Sequence, residues 1–325
     1  MNNSWNAVAF SKELKTKPLK VYYKKIPIVL FRYKNHIHAL NDQCPHRGAP
    51  LSTGKVINGG IICPYHGWKF KGNGEHLELP GSCNFKPSHT PLIKTYRTHE
   101  EAGTIWITSN NEDNLNTPFS PNFHHHYSHY SVSTFIKANI IDIFENFLDP
   151  LHTHFIHSNI IRSNNKRHLC HVEIKNIEDG YQATYIEEKK QSGLFSKLFG
   201  RHIEKSIGRV RNQNIIEIEY HSKNALELSV VVYANQETKN NCKLLIRTYL
   251  KKQKTPFWVS APIIFLFQFI TFIQDKKILE TIHKNKNTIK SFTPLIIHTD
   301  IMRPYIAMAL NNELIKVDKK ASILL

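Results

Sequence analysis

Between residues 19 and 40 the chain alternates short apolar and polar runs, VYYKK, IPIVLFRY and HIHAL, with Lys34 and Asn35 at a turn. That period of two predicts antiparallel strands. TIWI at 104–107 predicts a further strand that closes a small all-β domain. The stretch NEDNLNTPFSPN, rich in Asn, Pro and Ser, reads as a linker. Beyond it STFIKANI, IIEIEY, LELSVVVYA and KLLIRTY again have strand character, while 142–157 and a segment near 261–285 read as helical. The predicted fold class is α+β: an all-β domain over 1–112, a linker over 113–130, and a second domain over 131–325 in which an antiparallel sheet curves around a long helix.

One apolar run tests that assignment. PFWVSAPIIFLFQFITFI, Pro256 to Ile273, is 18 residues long, at the lower edge of what spans a bilayer. Ser260, Pro262 and Gln268 within it, and the acidic Asp275 just beyond, favour a core helix that lines a pocket. The basic amphipathic SGLFSKLFGRH at 192–202 keeps membrane contact as the less favoured reading.

With 325 residues, 41% of them hydrophobic, the chain can bury a core in each of two domains. Its start, MNNSWNAVAFSKELK, lacks the apolar core of a signal peptide, so a cytoplasmic location is expected. Five cysteines without disulfide-scaffold spacing suit a reducing compartment and metal ligation by some of them. A formal charge of +17 suits an acidic partner or a solvated lysine surface. No nucleic-acid motif accompanies it, and no nucleic-acid partner is expected.

CPHRGAPLSTGKVINGGIICPYHGW sets Cys44 and His46 as C-x-H and Cys63 and His66 as C-x-x-H, sixteen residues apart. Two thiolates and two imidazoles in paired loops are the ligands of a Rieske [2Fe-2S] centre, where one iron takes two cysteines and the other two histidines. Zinc also accepts two Cys and two His, but C-x-H is shorter than finger spacing. Pro45, Gly48, Pro64 and Gly67 also let backbone amides wrap cluster sulfurs. Cys83, Cys170 and Cys242 have no such partner spacing and read as free thiols.

ENFLDPLHTHFIH carries the second cluster of donors. On a helix His154 points about 200° away from His152, whereas Asp149 lies about 60° from His152 and about 80° from His157. The candidate set is therefore Asp149, His152 and His157, presented by a helix that Pro150 distorts, since the two histidines are about 140° apart on a regular one. Glu145 and Asn146, one turn earlier, share faces with His152 and His157 respectively. In QDKKILETIH, Asp275 is within about 60° of Phe272, Ile278, Leu279 and Ile282, so its carboxylate faces the apolar side. A metal would relieve the cost of burying it there. HHHYSH at 124–129 and HLCH at 168–171 lack ligand spacing with a supporting carboxylate and read as surface histidines.

These residues carry a family resemblance. From WNAVAFSKEL through CPHRGAPLSTG and CPYHGWKF to AGTIWI, the N-terminal third resembles the Rieske domain of the Rieske non-haem iron oxygenases, and ENFLDPLHTHFIH resembles their mononuclear iron motif. Order, spacing and length are most similar to oxygenase (alpha) subunits of the vanillate O-demethylase and dicamba monooxygenase type. The resemblance implies a helix-grip catalytic domain, a [2Fe-2S] cluster on Cys44, His46, Cys63 and His66, and mononuclear Fe(II) on His152, His157 and a carboxylate. Asp275, in a D-x4-E setting with Glu280, is favoured as that carboxylate over Asp300 in HTDIMRP. Asp149 stands where the family has an aspartate that bridges a ligand histidine to a neighbouring subunit's cluster. Also implied are a homotrimer, a ferredoxin or flavin reductase as electron donor, and dioxygen used to hydroxylate or demethylate a small apolar or aromatic substrate. The alternatives are a Rieske electron carrier without oxygenase activity and a membrane-associated sterol or lipid oxygenase.

Overall fold

The structure is a computed structural model that describes the chain outside residues 1–4, 84–85, 87–88, 110–116, 120, 122–126, 163–166, 188–202, 212–213, 224, 253–256 and 290–291, and outside the side chains of 257–261. The amphipathic stretch 192–202, three histidines of HHHYSH and most of 113–126 lie outside the described residues. Two compact units are present: residues 1–121 with 235–239, and 122–234 with 240–325.

Among its described residues the first unit has ten strands, β1 (Asn6–Phe10), β2 (Leu19–Tyr23), β3 (Ile26–Tyr33), β4 (His36–Asn41), β5 (Lys55–Ile57), β6 (Gly60–Ile62), β7 (Lys69–Lys71), β8 (His76–Glu78), β9 (Thr95–Glu101) and β10 (Thr104–Thr108). They form a six-stranded sheet in the order β1-β10-β9-β4-β3-β2 and a four-stranded sheet β5-β6-β7-β8. Lys34 and Asn35 take left-handed φ of 47° and 65°, as a two-residue turn between twisted strands requires. The alternation within β3 explains its long apolar run. Ile28 and Leu30 join one core with Val8, Val21 and Ile105. Val29 and Phe31 join another with Leu40, Leu51, Ile61 and Phe70, which also buries Cys44 and Cys63. A strand covered on both faces has no polar face to show.

The second unit contains β11 (Tyr127–Ile136), α1 (Ile140–Leu148), β12 (Leu169–Ile177), β13 (Gly180–Glu187), β14 (Lys205–Arg211), β15 (Ile215–Ser222), all but the last four residues of β16 (Ala225–Thr238), β17 (Asn241–Lys251), α2 (Phe257–Thr288), α3 (Arg303–Asn311) and β18 (Asp318–Leu324). Its sheet runs β11-β17-β16-β15-β14-β13-β12-β18. One face packs Val172, Ile174, Ala183 and Tyr185 against Phe144 and Leu148 of α1, Leu279 of α2 and Ile306 of α3. The α+β class and the sheet with a long helix against it stand as expected. Strands β12, β13, β14 and β18 go beyond the runs that the sequence pattern predicts. HLCH falls at the start of β12, where Cys170 is buried and His171 is exposed.

Two helices differ from expectation. The helix expected over 142–157 ends at Leu148; Asp149 is extended (φ −90°, ψ 113°) and a 3-10 turn, Leu151–His154, follows. Pro150 forces this, because the residue before a proline is driven out of helical conformation. Helix α2 absorbs Pro262 near its start, where few helical hydrogen bonds are lost. Among the described residues no helix is long and apolar enough to cross a membrane, although Ile263, Leu266, Phe269, Ile270 and Ile273 of α2 are exposed.

Candidate cluster loops and metal site

The two loops of the first unit are built alike. In the first, the Cys44 amide donates to the Ala49 carbonyl and the Gly48 amide to the Cys44 carbonyl, both at 2.8 Å. In the second, the Cys63 amide donates to Trp68 (2.8 Å) and the Gly67 amide to Cys63 (3.2 Å). Gly48 and Gly67 have φ of 76° and 69°, the left-handed conformation that closes each turn. Asp42 anchors the first loop by accepting from the Ser52 amide (2.7 Å) and hydroxyl (2.6 Å).

Cys44 and Cys63 are buried side by side, and burial pushes the Cys44 thiol up, with Cys63 adding to the effect. His46 and His66 sit at the rim with ring centroids 4.6 Å apart, and His46 stacks on Trp68 at an interplanar angle of 3°. Thiols inside and imidazoles outside fit a cluster with one cysteine-bound and one histidine-bound iron.

The second site grows from the break after α1. Asn139 caps the helix start by accepting from the Ile141 amide (3.3 Å). At the other end Asp149 caps the 3-10 turn, its carboxylate accepting from the amides of Leu151 (2.7 Å) and His152 (3.3 Å). The His152 Nδ1–H donates to the Asp149 carbonyl (2.5 Å), and the His157 Nδ1–H to Gln274 Oε1 (2.8 Å). Both Nε2 atoms thereby turn toward Asp275, at 3.5 Å and 3.0 Å from its Oδ1. Asn146 donates to the same oxygen at 3.3 Å. One ligand atom from each of His152, His157 and Asp275 lies within 4.8 Å of the others.

This geometry brings together two imidazole lone pairs and a carboxylate oxygen, an arrangement of acceptors that calls for a cation among them. Burial holds His152 below its usual range, favouring the neutral form that ligates a metal. At His157 burial acts the same way, but the bond to Asp275 outweighs it and raises the value. His157 and Asp275 are 2% and 8% exposed, while His152 is partly exposed.

Asp275, not Asp300, is the carboxylate brought to the histidines. Asp300 instead accepts from the Ile297 amide (2.8 Å) and lines a second cavity of about 290 Å³ beside Asp149. His154 is buried but outside the donor set. Glu145 pairs with Arg303. Gln274 was not legible as a site residue; its only signal is adjacency to Asp275.

The three donors line a cavity of about 440 Å³ whose walls are largely apolar, with Phe147, Ile218, Leu228, Ile246, Phe265 and Phe272 among them. The lining also includes Arg162, but its guanidinium is neutralised by Glu187 and donates to Thr153 Oγ1 (2.9 Å).

Residues 4–97 match the Rieske [2Fe-2S] domain family, so the first unit carries a Rieske domain. The chain is 36% identical over 108 residues to the oxygenase component of dicamba O-demethylase from Stenotrophomonas maltophilia, covering 33% of this chain and 32% of that protein. It is 38% identical over 106 residues to the vanillate O-demethylase oxygenase subunit of a Pseudomonas species, covering 32% and 29%. The aligned part thus spans about a third of these relatives' length. Over nearly the whole chain the fold is that of dicamba monooxygenase in complex with 3,6-dichlorosalicylic acid, with a TM-score of 0.81, 20% identity and 96% of each chain covered. The chain is thus similar to oxygenase components of the dicamba and vanillate type over about a third of its sequence, and to dicamba monooxygenase in fold.

Proposed function

We propose that this protein is the terminal oxygenase of a cytoplasmic electron-transfer system: Cys44, His46, Cys63 and His66 hold a Rieske [2Fe-2S] cluster, and His152, His157 and Asp275 hold a mononuclear Fe(II). The observation that carries this reading is the convergence of two Nε2 atoms and one carboxylate at an apolar cavity, in a chain that also has a Rieske domain. When bound, the cluster supplies single electrons and the iron supplies oxidation of a C–H bond by dioxygen, either hydroxylating the substrate or demethylating it.

The chain's own part is positioning. The Asp149 carbonyl and Gln274 fix the tautomers of His152 and His157, which keeps both Nε2 atoms available. Asn146 orients the Asp275 carboxylate. The apolar walls exclude water and hold a small apolar or aromatic substrate over the metal. In this reading the Asp149 carboxylate, partly exposed while it caps the turn, links a ligand histidine to the cluster of a neighbouring subunit. Three copies form a homotrimer, and a ferredoxin or flavin reductase supplies the electrons.

The test is iron content with oxygen consumption. An oxygenase carries about three irons per chain, an electron carrier about two. Oxygen uptake with a surrogate reductase and a panel of apolar substrates completes it. A chain with only the cluster irons and no uptake would overturn the reading.

A further inference from the structure

Away from the metal-binding set, a group of polar side chains on the cavity wall gathers where β11, β17 and α2 contribute to it. Tyr130 of β11 and Thr248 of β17 face each other as a cross-strand pair, and both line the cavity with Gln268 of α2. The Thr248 hydroxyl donates to Gln268 Oε1 at 3.2 Å. That bond leaves the Gln268 amide hydrogens directed to no described partner. The Tyr130 oxygen is buried beside Thr248 without reaching hydrogen-bond geometry to any described atom. Burial pushes its pKa up to about 12, so it remains a phenol that can donate. Buried polar groups are ordinarily satisfied, and an exception on a cavity wall points to a ligand atom.

Position along α2 adds a length. Gln268 precedes Asp275 by seven residues, which is about 10 Å of helix rise with the two side chains about 20° apart in direction. Between them Thr271 and Phe272 also line the cavity. The charges on this wall have partners of their own: Arg162 pairs with Glu187, Asp149 accepts from the amides of Leu151 and His152, and Asp275 belongs to the metal-binding set.

We propose that Tyr130 and Gln268 are the specificity pair of this cavity, hydrogen-bonding a hydroxyl or carbonyl oxygen at one end of an elongated, uncharged and otherwise apolar substrate. Its other end lies at His152, His157 and Asp275. This assignment names the substrate class for the oxygenase reading and rests on it for what happens at the metal end. Donors at Gln268 Nε2 and Tyr130 Oη select an acceptor oxygen, and Thr248 fixes the Gln268 amide so that its nitrogen faces the cavity.

Binding tests it without turnover. Calorimetry on the purified, metal-loaded full chain compares trans-4-cyclohexylcyclohexanol with bicyclohexyl, the same skeleton without oxygen, each delivered from cyclodextrin. The alcohol is expected to bind about five- to tenfold more tightly, as a neutral hydrogen bond allows. Gln268→Leu and Tyr130→Phe should each bring that preference to about twofold or less, leave the hydrocarbon's Kd unchanged, and leave iron content unchanged. Equal binding of the two probes, binding of neither, or a preference that survives both substitutions would overturn the assignment. Failure of the oxygenase reading looks different: alcohol preference intact, with only cluster iron and no oxygen uptake.

Discussion

At the scale of single residues, the proposed iron site separates donors from the groups that aim them. His152→Ala, His157→Ala and Asp275→Ala are each expected to lose the mononuclear iron, read as iron per chain, because each removes one of three donors. Gln274→Leu should retain the set but weaken metal affinity by about 10–100-fold, the usual effect of removing an imidazole's outer partner. Asp149→Ala should keep much of the iron and a reducible cluster while single-turnover product collapses, with about 1 kcal/mol lost from the turn it caps. A normal yield of product would remove Asp149 from the electron path. His154→Ala should leave iron and product near wild type. The donors His152, His157 and Asp275 that the structure brings together were legible in the sequence, because a histidine pair beside a carboxylate in an apolar segment has few other uses, whereas Gln274 was not. Tyr130, Thr248 and Gln268 were not, since nothing local says that β11 pairs with β17 or that α2 lies against them.

Individual elements show where pattern reading works and where it stops. The side-chain directions expected for 149–157 are those of a helix, yet the helix ends at Leu148. His154 still leaves the donor set because the 3-10 turn, with its shorter period, also sends it away from His152. Strands such as β14 (KSIGRVR) escape an apolar-polar reading because their second face is polar yet shielded: Arg209 pairs with Glu219 (2.7 Å) and Arg211 with Glu217 (2.8 Å). These pairs carry a pH dependence. Burial alone would raise Glu219, but His221 and Arg209 overcome it and hold its carboxyl at about 2. A folded pKa below the unfolded value gives stability that is full above about pH 4.5 and is lost as pH falls toward 2, worth about 3 kcal/mol in all. Glu219→Gln should therefore lower Tm at pH 7 and flatten the decline of Tm between pH 4.5 and 2.5. An acid limb as steep as wild type would show that other carboxylates dominate.

For the molecule as a whole, the +17 charge bears on the proposed docking of an electron donor. If it attracts an acidic donor, the rate of cluster reduction should fall steeply with added salt, because exposed charges are screened beyond about 8 Å at physiological ionic strength. A salt-independent rate would leave that charge as surface solvation only. Two domains are expected from the chain's length and its Asn-, Pro- and Ser-rich stretch; the compact units divide after Pro121, and the assignment of 235–239 to the first unit has no sign in the sequence. Strand order was not legible either, because β18 joins the sheet beside β12 from the far end of the chain.

The break after α1 has a thermodynamic consequence. His157 meets α2 across 117 positions of sequence at Gln274, and an ion on His152, His157 and Asp275 would fasten those same two segments. Because the donors converge only in the folded chain, the ion acts as a cross-link whose strength is set by its concentration. Its contribution follows RT ln(1 + [L]/Kd), about 4 kcal/mol at a thousandfold excess over Kd. Thermal unfolding should accordingly shift with free Fe(II), and a chelator should open 149–162 to proteolysis before the sheet melts. In Asp275→Ala both dependences should vanish, leaving a protein whose melting temperature no longer registers the metal in the buffer.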